Sequence, residues 1–379
     1  MGLSAAPAHS RQIATPAPTP TGWHNVGAPA PSCRRPGGFA VPQQTAGSDA
    51  DFAERLEPFR RELQAHCYRM TGSYDEAEDL VQETFLKAWR SRDAYEGRAS
   101  VRTWLYRIAT NACLDHLRRH QRTPRRYGRL PGMDHGEGEP PVRIEWLQPY
   151  PDELLADIPA AEAGPESQVL SRETVELVFL AALQHLPPRQ RAVLILRDVV
   201  GLPAAETAEL LELSTASVNS ALQRARPALR EQLPADRRTE WAPATAPTKE
   251  EREVVERYRV AAERLDLPAM AELLAADAKL TMPPNPYWFV GREAILDFVA
   301  QTLDPESPQF FGRWRHLPTW ANGQPAVAGY VQRPGTTVYR AQNLDVLRVE
   351  DGRIVEITTF EPHLLPAFGL PLRISAQER

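Results

Sequence analysis

Arg107 and Asn111 stand four residues apart, with Thr103 one turn before them and Arg118 about two turns beyond. At helical spacing these side chains lie roughly along one face. An asparagine amide carries a paired donor and acceptor that match a base edge. Nine arginines and a single acid, Asp115, fall between Arg98 and Arg129. Such a patch attracts phosphates at long range and binds them in a salt-sensitive way. A second set is acidic: Asp79, Gln82, Glu83 and Leu86 share one face of the preceding segment. An acidic helix followed by a basic one can grip two partners of opposite character, a basic protein surface and DNA. This chemistry is recognition, with no bond made or broken.

The elements that must hold these residues can be built from their letters. Residues Tyr74–Arg90 form an amphipathic helix whose apolar face is Ala77, Leu80, Val81, Phe85, Ala88 and Trp89. Ser73 and Glu76 have the spacing of a reciprocal capping box, and Asp75, Glu76 and Glu78 suit the positive end of the helix dipole. The basic helix buries Val101, Leu105, Ile108 and Ala112; Trp104 reads as core as well. Its preceding loop, residues 95–102, is short, contains Gly97 and carries Tyr95.

A second module follows. Residues 186–198 form a helix with proline near its start, where a missing N–H does no harm. Residues 202–211 and 214–226 are two short helices joined by a tight turn, with Ser214 as cap, which is a helix-turn-helix pattern. Ala205, Leu210, Val218 and Leu222 would close its core.

In Tyr74–Arg90 and residues 102–119 the chain resembles region 2 of the extracytoplasmic-function (group 4) sigma factors, subunits that direct bacterial RNA polymerase to promoters. Residues 186–226 resemble region 4 of the same family, which reads the minus-thirty-five element. The resemblance implies that Asp79, Gln82, Glu83 and Leu86 dock on a coiled coil of the polymerase clamp. It implies that the loop with Tyr95 and Arg98, together with Thr103, Arg107 and Asn111, captures a base flipped from the minus-ten element. Two departures stand out. Glu212 sits in the turn, where the family often has glycine, and the first turns of the second helix lack Lys and Arg. Thr215, Ser217, Asn219, Ser220 and Gln223 must then supply base contacts, with Arg224, Arg226 and Arg230 on phosphates.

The simplest members of that family end here, and this chain does not. After a Pro/Ala-rich break at 234–249, residues 250–265, 268–276 and 292–302 read as helices. Residues 326–332, 337–349 and 354–360 read as strands, with Asp351-Gly352 as a hairpin turn. Helices followed by a run of antiparallel strands give an α+β cone. Residues 282–294 and 351–360 resemble the SnoaL-like polyketide-cyclase superfamily, and residues 51–370 resemble a SigG-like subgroup of the sigma factors. A small apolar ligand could sit among Tyr287, Trp288, Phe289, Phe298, Phe310, Phe311, Trp314 and Trp320, with His316, Arg340, Asp345, Glu361 and His363 as polar candidates. Core packing is the commoner fate of such aromatics, and a regulatory packing module is favoured over sensing or catalysis.

The expected architecture is therefore multidomain: an all-α sigma region 2 and a helix-turn-helix region 4, followed by an α+β SnoaL-like cone-shaped domain. The boundaries are a disordered Pro/Ala-rich tail (1–50), region 2 (51–122), an acidic linker (123–169), region 4 (170–233), a linker (234–249) and the SnoaL-like domain (250–370). The linker reads either as a solvated spacer or as an acidic mimic of nucleic acid, with one short helix near 153–158. A length of 379 residues suits several domains, and the net charge of −5 is mild. Cys33, Cys67 and Cys113 lack metal spacing, and free thiols suit a cytoplasmic protein; no metal is expected, and the sigma-factor reading calls for no cofactor or catalytic residue. Residues 1–50 lack the continuous apolar run of a signal peptide, and no segment suits a membrane span. RNA polymerase core and promoter DNA are the expected partners, with an anti-sigma factor as a further candidate. The alternative is a small-molecule-binding sensor or enzyme fused to a helix-turn-helix regulator; the acidic docking helix favours the sigma factor.

Overall fold

The structure, a computed structural model, describes residues 47–95, 97, 99–156, 176–233 and 248–375. The expected tail lies outside these residues except for its last four, which open α1 (Gly47–Leu56). Phe52 anchors α1 to region 2: its ring meets Trp89 and Trp104 edge-on at 5.9 and 6.5 Å.

Three helices follow: α2 (Arg60–Thr71), α3 (Tyr74–Arg90) and α4 (Val101–His120). Ser73 caps α3 by accepting from Glu76 N at 3.4 Å, but the reciprocal half of the expected capping box is missing. The Glu76 carboxylate turns instead to Arg122 and to His116, whose Nε2 is 3.1 Å away. A cation outcompetes a backbone amide for a carboxylate when both are in reach. Phe85 and Trp89 are half-buried rather than core, and Thr84 is buried in their place, its hydroxyl bonded to Leu80 O at 2.7 Å.

Region 4 comprises α6 (Leu177–Gln184), α7 (Pro188–Leu194), α8 (Ala204–Leu210) and α9 (Thr215–Gln232); α7 runs on through a π turn, Ile195–Val199. Ala205 is exposed, and Ala208 fills its expected place beside Leu210, Val218 and Leu222.

The C-terminal unit packs α10 (Lys249–Arg264), α11 (Leu267–Leu273) and α12 (Arg292–Leu303) on one sheet. Its strands are β3 (Leu274–Thr281), β4 (Trp288–Val290), β5 (Arg313–Ala321), β6 (Gln324–Gln332), β7 (Val338–Glu350), β8 (Arg353–Phe360) and β9 (Arg373–Ser375), in the order β4-β3-β8-β7-β6-β5 with β9 also on β7. The sheet is mixed, not purely antiparallel, because β3 pairs with β8 in parallel. Residues 274–276, expected to be helical, begin β3. Asp351 and Gly352 make the expected turn with φ of 47° and 70°.

The linker departs most from expectation. Far from a solvated spacer, residues 123–156 form a folded strap. Short strands β1 (Arg125–Arg126) and β2 (Val142–Arg143) pair antiparallel, and Tyr127, His135, Ile144, Leu147 and Tyr150 are buried. Composition missed this because few apolar residues suffice when each meets a prepared partner. His135 stacks on Trp288 at 4.3 Å, and its carbonyl accepts from Val290 N at 3.0 Å on the edge strand β4. Gly136 is required there, since a Cβ would lie 1.9 Å from Val290 O. The short helix α5 (Glu153–Ala156) stands where one was expected.

One apolar cluster joins these parts. It runs from Leu63 and Leu105 of region 2 through Leu147 and Tyr150 of the strap to Leu180 and Leu196 of region 4. It ends on the outward face of the sheet, at Ala326, Ala328, Tyr330, Leu344, Val346 and Phe360. The opposite face forms a second cluster, with Val327, Leu347 and Ile357 against Val254, Tyr258, Leu273 and Ile295. The sheet is thus covered on both sides, by its own helices and by the other modules.

Candidate nucleic-acid and polymerase interfaces

Helix α4 faces two ways. Trp104, Leu105, Tyr106, Ala109, Ala112 and Cys113 are buried. Arg107, Asn111 and Arg118 are exposed on the other side, and Thr103 is half-exposed. Ser100 caps the helix, accepting from Thr103 N at 3.0 Å and sitting 3.0 Å from its hydroxyl. Among the described residues neither Arg107 nor Asn111 makes a side-chain hydrogen bond or ion pair. Arg118 holds Asp115 at 2.8 Å yet leaves most of its side chain in solvent.

The basic patch is narrower than its arginine count suggested. Arg102 binds the buried Glu62 at 2.8 Å, Arg122 is held by Glu76, and Arg126 reaches Glu139 at 3.0 Å. Arg98 lies outside the described residues. Tyr95 is half-buried: its ring lies 4.9 Å from Trp104 and its hydroxyl donates to Ala99 O at 2.6 Å. It therefore shapes the loop as well as bordering the exposed face.

On α3, Asp79, Gln82 and Leu86 are exposed, Leu86 to 56%. Glu83 is half-exposed and shares a 2.7 Å ion pair with Lys87. Spacings of three, four and seven residues put all four on one stripe, opposite the buried Ala77, Leu80, Val81 and Ala88.

On α9, Thr215, Ser217, Asn219, Ser220, Gln223 and Arg224 are all exposed, while Val218, Ala221, Leu222, Ala225 and Leu229 are buried. Arg226 is not free for phosphate: it makes a two-pronged bond to Asp198 at 2.7 and 2.9 Å. Glu212 holds φ of 54°, so the turn does take the left-handed conformation that glycine would adopt without strain.

The polar candidates of the third unit separate. Asp345 accepts from Asn343 Nδ2 and Thr359 Oγ1 at 2.7 Å and from Tyr258 OH at 3.2 Å, and burial pushes its carboxyl up. Burial, helped by Arg259, lowers His316 to about 4. Arg340 is exposed although its strand is paired on both sides there, with Val331 of β6 and Arg373 of β9, and His363 points away to Asp75 of α3 at 3.3 Å, with Glu361 beside it. Trp288 serves the strap, donating to Gly128 O at 2.8 Å, and Phe289 stacks on Phe298 at 4.5 Å. Tyr287 and Phe311 are partly exposed. The aromatics do not converge on one box.

Sequence reasoning missed the joint between modules. Asn322 is fully buried in the β5–β6 turn; its amide accepts from Tyr150 N and donates to Tyr68 OH, both at 2.8 Å. Tyr68 OH in turn donates to Gln148 O at 2.7 Å. The Gln148 side chain caps α3, accepting from Ser73 Oγ at 2.7 Å and Asp75 N at 3.0 Å. Burial pushes the Asp152 carboxyl up to about 6, against the pull of Gly323 N–H at 2.8 Å. Between regions 2 and 4, the buried Arg191 guanidinium donates to Met70 O, to Gln184 Oε1 at 2.6 Å and to Leu186 O at 3.1 Å. One signal was available: Asn322-Gly323 lies between two alternating runs, the strongest short hairpin mark.

The geometry agrees with comparisons to known proteins. Family models match as Sigma-70 region 2 at residues 56–123, Sigma-70 region 4 at 176–229 and a SnoaL-like domain at 255–357. That order is a sigma-70-type factor with an additional domain. The ECF RNA polymerase sigma factor SigG of Mycobacterium tuberculosis is 44% identical over 327 residues, 85% of this chain and 84% of its own. SigJ of the same species is 27% identical over 311 residues, 79% of this chain and 88% of its own. The crystal structure of SigJ superposes with a TM-score of 0.52 at 23% identity, covering 84% of this chain and 99% of that one, a likeness of fold. The chain belongs to the extracytoplasmic-function RNA polymerase sigma factors, with a SnoaL-like C-terminal domain. No helix among the described residues is long and apolar enough to cross a membrane.

Proposed function

We propose that this sigma factor acts in the cytoplasm without catalysis of its own, through two faces of region 2. Asp79, Gln82, Glu83 and Leu86 dock on core polymerase. Arg107 and Asn111, with Thr103, Arg118 and the loop at Tyr95 and Arg98, engage the minus-ten element as it opens. Region 4 reads upstream DNA through Thr215, Ser217, Asn219, Ser220 and Gln223, with Arg224 on phosphate. The observation that carries this reading is the pairing of Arg107 and Asn111: both are exposed, and among the described residues neither side chain has an intramolecular partner, on a helix whose other side is core. The expanse of apolar contact between the sheet and the sigma modules supports a modulating role for the C-terminal domain.

The test is transcription by purified core polymerase on genomic fragments. Added chain should produce defined start sites absent with core alone. Absence of new starts, with the chain folded and core active, overturns the reading.

A further inference from the structure

Helix α9 carries its DNA-facing surface without an anchor of its own. Residues 215–223 turn Thr215, Ser217, Asn219, Ser220 and Gln223 to solvent and contain no Lys or Arg. The first cations, Arg224 and Arg226, come where the helix is weakest, because Pro227 stands inside α9. Pro227 has no N–H for the Gln223 carbonyl four residues before it, and its ring crowds that carbonyl. A rung of the helical ladder is thus missing between the half that faces DNA and the half that buries Leu229, and a helix bends most readily at such a place.

Arg226, the residue before that proline, is fixed from outside the helix. Its guanidinium donates twice to the Asp198 carboxylate, from Nε to Oδ2 at 2.9 Å and from Nη2 to Oδ1 at 2.7 Å. Asp198 stands on the π turn Ile195–Val199 at the end of α7, where Ile195, Leu196 and Val199 are buried. That platform is tied off behind: Val200 N donates to Ile195 O and Leu202 N to Leu196 O, both at 2.9 Å, and Arg197 donates to the Leu202 carbonyl. Most surface ion pairs contribute little, but a forked arginine–carboxylate pair fixes orientation as well as distance. The Asp198 side chain is only 18% exposed, so the acid half of the pair is sheltered.

We infer that Asp198 is a positioning residue for the recognition of upstream DNA. Through Arg226 it pins α9 to α7 one residue ahead of Pro227, and so fixes the angle at which residues 215–223 enter the groove. This rests on the assignment of those residues to base contacts. Short polar side chains reach a base edge only when the backbone behind them is correctly placed, and no cation in this half draws the helix in by long-range attraction. Preorganisation by the ion pair stands in for that pull. The same pair keeps Arg226 off the phosphates and leaves Arg224 as the first cation available to them.

The test is fluorescence anisotropy of the holoenzyme on a labelled duplex carrying only the upstream element of a promoter it transcribes, and on the same duplex with that element scrambled. D198N, R226Q and the double variant D198N/R226Q are compared with the unsubstituted chain over a salt series. Either single change should lower the ratio of the two affinities about three- to tenfold, a part of one base-edge contact, and the double variant should lower it no further. R226K, which keeps the charge and loses the fork, should fall with them. Binding to the scrambled duplex and its salt slope should stay as they were. If Arg226 instead lies on a phosphate, R226Q weakens both duplexes alike and flattens the salt slope by about one, while D198N binds more tightly; that outcome overturns the inference. So does a lowered melting temperature of D198N with its ratio intact, which makes the pair merely structural. The N219A/Q223A holoenzyme separates the two readings. If its ratio matches the unsubstituted chain, the base-contact assignment falls and this inference with it. If its ratio drops while D198N is silent, only the positioning role falls.

Discussion

At the level of single residues, the decisive contrast is between side chains that the fold consumes and those it leaves over. Arg102, Arg122 and Arg226 are consumed by Glu62, Glu76 and Asp198. Arg107 and Asn111 are left over, so losing either should cost function and not stability. Asn111→Ala should lower open-complex formation about tenfold or more, the worth of one good base-edge contact, with thermal melting unchanged. Permanganate footprinting of the melted promoter measures this; an unaltered footprint removes Asn111 from the interface. Glu212 is the opposite case, strained and exposed. Glu212→Gly should raise stability by about 0.5–1 kcal/mol, because the relief of a left-handed backbone outweighs glycine's extra chain entropy. A urea midpoint that moves downward contradicts it. Sequence letters showed the periodic faces because burial and helical spacing are local properties. They could not show which arginines find partners, since Glu62 and Arg102 meet only after α2 and α4 pack.

At the level of elements, α3 is held from three directions. Its core face meets region 2, Ser73 and the strap's Gln148 cap its start, and His363 approaches Asp75 from the C-terminal unit. Its outward stripe is left uncovered, and Leu86 with Asp79 and Glu83 makes an apolar spot rimmed by acid. Reversing both charges, Asp79→Lys with Glu83→Lys, should weaken core binding about tenfold or more, with the largest loss at low salt, where the new repulsion is least screened. Affinity from titration of labelled core checks it; unchanged affinity leaves the stripe merely solvated. The helices were legible because each carries its own period. The strap was not, because its order is imposed by partners more than a hundred residues away, as in the stacking of His135 on Trp288. Strand β3 was hidden for the same reason: it borrows its register from β8, far along the chain.

At the level of the whole molecule, the outward face of the sheet makes the third unit a structural partner of both sigma regions. The charge at this joint is tunable. Asp152 is held up at about 6 by burial, so the folded chain keeps a proton that the unfolded chain has already released above roughly pH 4. Stability from this group therefore falls as pH rises from about 4 to about 6 and stays low above that. Asp152→Asn keeps an oxygen for Gly323 N–H and removes the buried charge. It should gain about 2 kcal/mol at pH 7.5, with the gain vanishing near pH 4. Denaturation series at the two pH values decide it, and a gain independent of pH assigns the effect to something other than ionisation.

The doubly covered sheet also sets a clock on synthesis. Regions 2 and 4 leave the ribosome first, while Ala326, Ala328, Tyr330, Leu344 and Val346, which they pack against, are still untranslated. At about 5–20 residues per second, the stretch of roughly 130 residues still to come takes on the order of 6–25 s. For that interval the nascent chain carries its promoter-binding modules with an apolar flank uncovered, and neither Tyr68 nor Tyr150 yet has the Asn322 amide it will bond. The newborn protein therefore passes through a stage in which polymerase and chaperones compete for surfaces that the finished molecule keeps to itself.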